Sequence, residues 1–102
     1  MTKEMIEITF GGAMSHARKL DECAEELTRI AKNRVGSIKG DISVCWQGDS
    51  AQAYVAKLDE TAANMLQTAT KMRNSAKKIR DIADIFKKTE LLALEAIQNS
   101  TY

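Results

Sequence analysis

The side chains best suited to catalysis or metal binding are sparse in this 102-residue chain: one histidine, His16, and two cysteines, Cys23 and Cys45. Zinc and related ions need three or four ligands at close spacing. His16 has no second histidine, and Cys23 lies seven positions away. Ser15, Ser37, Ser43, Ser50 and Ser75 supply hydroxyls, but no His and acid stand in a pattern that would activate one. Gly11-Gly12 lacks both the glycine spacing and the following Lys of a phosphate loop. No catalytic residue, metal or cofactor is therefore expected, and the chain reads as a non-enzyme. Lys71, Arg73, Lys77, Lys78 and Arg80 form a basic run with no acid between Glu60 and Asp81. Without interleaved aromatics, and with a net charge of +1, that run reads as a solvated helix face rather than a nucleic-acid site.

The elements that would carry these residues are helical. The chain has no proline, few aromatics and a near-even balance of 15 basic and 14 acidic residues. That composition favours long helices in one small domain. No apolar run approaches the roughly 20 residues that span a bilayer. Met1-Thr2-Lys3-Glu4-Met5-Ile6 lacks the apolar stretch of a secretory signal, so synthesis in the cytoplasm without a Sec leader is expected. Cys23 and Cys45, if on one helix, would stand about 33 Å apart. They read as reduced thiols, with an intermolecular disulfide as the other reading.

Ile6, Ile8 and Phe10 alternate with Glu7 and Thr9, and Gly11-Gly12 follows. Period two predicts an extended N-terminal arm over 1–12. A first helix is expected over about 13–43, with Ala17, Ala24, Ala31 and Ile38 recurring every seven residues. Leu20, Leu27 and Arg34 lie three positions after the first three of these. A second helix is expected over about 50–98, its start marked by Asp49-Ser50-Ala51-Gln52, close to a capping box. Val55, Ala62, Ala69, Ala76 and Ala83 form one of its rows, and Leu58, Met65, Met72, Ile79 and Phe86 the other. Alternating steps of three and four over more than thirty residues make a coiled-coil seam. Residues 99–102 read as a tail.

Between the helices, at 44–49, lies Trp46-Gln47-Gly48, which holds the only tryptophan. A ring of that size is most useful where it is covered, so Trp46 and Gly48 read as the fixed point of an antiparallel hairpin. Facing residues then have position numbers of constant sum. Ala31 with Ala62, Ala24 with Ala69, Ala17 with Ala76 and Ile38 with Val55 each give 93, centred on the turn. Ile30, Leu66, Ile85, Leu91, Leu92 and Leu94 remain off the seam or beyond the end of the first helix. A lone two-helix hairpin buries too little to be robust. These six are thus candidates to face a partner in a four-helix bundle. The expected fold is all-α, a hairpin completed as a dimer or with another chain.

A chain of this length with two helices and a central Trp-X-Gly turn resembles the WXG family of type VII (ESX or Yuk-type) secretion proteins. The resemblance covers nearly the whole chain. It implies a leaderless protein exported by a Gram-positive type VII system, as a dimer with itself or a WXG-like paralogue. It implies alternatively a targeting chaperone for the helical N-terminal domain of a larger toxin. The family's export signal is Tyr-x-x-x-Asp/Glu near the end of the second helix, read by a secretion ATPase. Here Phe86-x-x-x-Glu90 occupies the comparable place, its two side chains on one helix face, four residues apart. Phe86 can equally be the last large residue of the seam. The competing reading is a cytoplasmic helical-hairpin adaptor or regulator unrelated to secretion.

Overall fold

The computed structural model describes residues 1–100 and consists of helices joined by one turn. Helix α1 is Lys3–Arg29, followed without a break by a single π-helical turn, Ile30–Arg34, and by α2, Val35–Cys45. After the turn, α3 runs Asp49–Asn99. No strand occurs among the described residues, and the protein is an all-α helical hairpin. Thr101 and Tyr102, the end of the expected tail, lie outside the described residues, and Asn99 is the last residue of α3.

The expected extended arm is instead the first turns of α1. Thr2 caps them, its Oγ1 accepting the Met5 N–H at 3.2 Å, and Glu4 in the first turn meets the positive end of the helix dipole. Alternation misleads here because Ile6 and Phe10 are also four apart. With Ala13, Ala17, Leu20, Ala24, Leu27 and Ala31 they make an unbroken row of steps of four and three. Ile6 is fully buried while Ile8 is exposed, which only a helix permits. Gly11 and Gly12 lower helix propensity by about 1 kcal/mol each, and burial of this row outweighs that.

The chain divides into two compact parts, Glu22–Arg73 and Met1–Asp21 with Asn74–Tyr102. In the first, which holds the turn, the end of α1, the π-turn and α2 run antiparallel to the first half of α3. Lys39 Nζ pairs with Asp59 at 2.5 Å, and Arg73 donates to the Thr28 hydroxyl at 3.0 Å. Ala24, Ala31, Val35, Ala51 and Ala69 are its buried core. The second part pairs the start of α1 with the second half of α3. Arg80 meets Asp21, and Lys87 bonds Glu7 at 3.2 Å while lying 4.5 Å over the Phe10 ring. Its core is Ile6, Ala17, Ala76 and Ala83. Both cores are built largely of alanine, which lets helix axes come close while longer side chains close the flanks.

Candidate functional site

The turn is built by the ends of two helices. Trp46 is the C-cap of α2: its N–H donates to the Ile42 carbonyl at 2.9 Å, and its backbone then turns extended. Gly48 has φ +107°, in the region that favours glycine, and its carbonyl accepts the Gln52 N–H at 3.1 Å. A Cβ at Gly48 would meet open space, so the demand for glycine there is conformational and not steric. Gly48 thus precedes α3, and Asp49, expected as the cap, is instead in the first turn, where its charge still suits the dipole. The Trp46 ring is not buried as expected. It is 42% exposed and packs at 5.8 Å and a 48° tilt against Tyr54, itself 48% exposed.

The predicted seam residues divide by size. Ala17, Ala24, Ala31, Ala69, Ala76 and Ala83 are buried. Leu20, Leu27, Val55, Leu58, Ala62, Met65, Met72 and Ile79 are half-buried. Ile38 departs from the expectation at 44% exposed. The π-turn is the reason: it adds one residue to α1's path, turning Ile38 off the seam and bringing Val35 onto it. The sequence carries a sign of this. Continuing the row past Ala31 meets charged Arg34 and Asp41, whereas apolar Val35 and Ile42 stand one place further on. Of the residues expected to face a partner, Ile85 and Leu92 are strongly exposed. Ile30, Leu66, Leu91 and Leu94 are half-buried. The last two follow from α1 starting at Lys3, which gives the end of α3 a helix to pack on.

In the part without the turn, two features go beyond the expected partner-facing residues: Ile82 joins Ile85 and Leu92, and a cleft opens beside them. Ile82, Ile85 and Leu92 form an exposed apolar row on α3, each 64–66% accessible, and Met5 and Ile8 are exposed on α1. Beside the α3 row opens a cleft of about 270 Å³, lined by Thr9, Phe10, Ala13, Ile79, Ile82, Ala83 and Phe86 and almost wholly apolar. Small residues at 9 and 13 leave the space, and Phe10 and Phe86 supply its aromatic walls. Phe86 and Glu90 are four apart on the seam side of α3, both half-buried.

Among the described residues no three His, Cys, Asp or Glu side chains are grouped to hold a metal ion. Both cysteines are free and exposed, and Cys45 donates its thiol to the Asp41 carbonyl at 3.0 Å. No helix among the described residues is long and apolar enough to cross a membrane. In comparison with known proteins, the family model WXG100, described as proteins of 100 residues with WXG, matches residues 5–91. Neither the curated proteins nor the solved structures gave a match.

Proposed function

The chain belongs to the WXG100 family, a small helical family associated with type VII secretion, and we propose that it is exported through helix-bundle docking with a second copy of itself. Family members typically form dimers or pair with partners. The observation that carries the reading is the exposed Ile82, Ile85 and Leu92 row beside the apolar cleft. A helical hairpin already has one seam; a second row at coiled-coil spacing is of use to another pair of helices. In this reading the chain is a non-enzyme that acts by presenting surfaces.

Phe86 and Glu90 are proposed as the export signal. Both lie on one face of α3, and the Phe86 side chain, a wall of the cleft, keeps an accessible edge. A secretion ATPase would then read an aromatic and an acid together, with the apolar edge giving contact area and the carboxylate orientation. The test is export in a Gram-positive host with an active type VII system. The wild-type chain is expected in the medium. Phe86→Ala and Glu90→Ala are each expected to retain it in the cell at unchanged expression. Export of both variants at wild-type levels would remove the signal assignment. Export in a host lacking the system would remove the secretion reading altogether. Export that requires co-expression of a larger toxin would identify the chain as that toxin's targeting partner instead.

A further inference from the structure

The π-turn at Ile30–Arg34 has a consequence for the turn motif sixteen residues after its first residue. An α-helix advances 100° per residue, so one extra residue rotates everything downstream by about that angle. Continued from Ala31 as a regular helix, the seam would take Arg34, Ile38, Asp41 and Cys45. Instead Val35 is 6% exposed and Lys39 and Ile42 are half-buried, while Arg34, Asp41 and Cys45 are exposed. The whole row has moved by one residue. It moves at the π-turn, where the Val35 N–H bonds back to the Ile30 carbonyl, five residues earlier.

The shift reaches Trp46. Its N–H is still on the helical ladder, bonded to Ile42, so the phase of α2 sets where its Cα stands. In the shifted register Trp46 occupies the seam position that Cys45 would otherwise take, and its ring lies against Tyr54 of α3. Lys39 gives a second marker of the same phase. Its stem takes the place expected for Ile38, and its Nζ reaches Asp59 across the hairpin. Single π-turns within α-helices are uncommon and occur frequently at functional sites.

We propose that the π-turn is a register-setting element that aims Trp46 at Tyr54: by taking up one residue within 30–34 it gives α2 the phase on which the half-exposed aromatic pair at the turn depends. This concerns the placement of the motif and not its partner, and is therefore independent of export. Deleting a residue inside the π-turn converts it to regular α-helix while α2 keeps its phase. Inserting one rotates α2 by a further 100°.

The full chain contains one tryptophan, so Trp46 reports directly. In the variant with Asn33 deleted, the emission maximum, acrylamide quenching and near-UV circular dichroism are expected to match wild type, with no loss of helicity. In the variant with one Ala inserted after Asn33, a red-shifted emission, stronger quenching and loss of the Trp–Tyr near-UV signal are expected. A deletion variant that exposes Trp46, or that fails to fold, overturns the proposal. So does an insertion variant with wild-type Trp46 spectra, which would mean that the turn itself places the ring. A second insertion, of one Ala after Gly36, rotates Trp46 by the same angle, so if the first insertion variant loses its helicity the second is read instead, and wild-type Trp46 spectra there overturn the proposal.

Discussion

The two compact parts share the helix α3 and one kind of core, yet their outer faces differ. On the face of α3 that continues Ile82 and Ile85 backwards, the residues of the turn-bearing part are Thr61, Asn64, Thr68 and Lys71, all polar and exposed. Beyond Asn74 the same face gives Ser75 and Lys78, and then Ile82, Ile85 and Leu92. The inner seam runs from Ala51 to Phe86 in steps of four and three, but the second row exists only in the part without the turn. Exposed apolar residues in the turn-bearing part are instead collected around the turn: Ile38, Val44, Trp46 and Tyr54. The intrachain seam thus runs along the helix while the exposed apolar row covers only part of it, and on the proposed reading the partner docks where that second row lies.

The largest expected effect that probes this contrast is in the core of the part without the turn. Among the described residues Ile6 is the one large side chain that is fully buried, and Ile6→Ala is predicted to cost about 2–4 kcal/mol in chemical or thermal unfolding. A much smaller loss would show that the start of α1 adds little to the part it is assigned to. Next comes the turn. Gly48→Ala places a Cβ at φ +107° and should cost about 1–2 kcal/mol, measured by the same melts. Trp46→Ala removes a tilted aromatic contact between two half-exposed rings. The expected loss is about 1 kcal/mol, with the second row and self-association unaffected. Weakened association in that variant would move the docking surface to the turn.

The smallest effect has the opposite sign. A Cβ at Gly11 or Gly12 meets open space in the isolated chain, so Gly12→Ala should stabilise α1 by about 0.5–1 kcal/mol. If the gain appears in dilute monomer and vanishes on association, a neighbouring helix passes close over Gly12 beside Ile8. A gain that persists at all concentrations would place Gly12 outside the interface.

Much of this organisation is legible from spacing. The alanine rows of both helices are buried, Ala62 only in part, because a helical hairpin with two long stripes of small residues has one obvious way to cover them. The parts that spacing hides trace to particular residues. Ile6, Ile8 and Phe10 fit period two over a window too short to tell strand from helix, and Gly11-Gly12 resembles a break. Only extending the heptad row upstream from Ala17 through Ala13 to Phe10 and Ile6 resolves it. The π-turn is hidden because a heptad pattern presumes a regular helix past Ala31, although Arg34 and Asp41 on the seam are a warning. The exposure of Trp46 runs against expectation because a tryptophan can as well lie on a neighbouring ring as beneath a core. The cleft between Phe10 and Phe86 requires α1 to begin at Lys3, so it is invisible while residues 1–12 are read as an arm.

The central claim is that the Ile82, Ile85 and Leu92 row docks a second copy of this chain. Its most direct test is the solution mass of the wild type and of the Ile85→Glu/Leu92→Glu variant, by sedimentation equilibrium at matched concentrations. The wild type is predicted at about twice 11.3 kDa and the variant at the single-chain mass, with helicity retained because both side chains are exposed within the chain. A monomeric wild type, or a variant that still dimerises, would contradict the account.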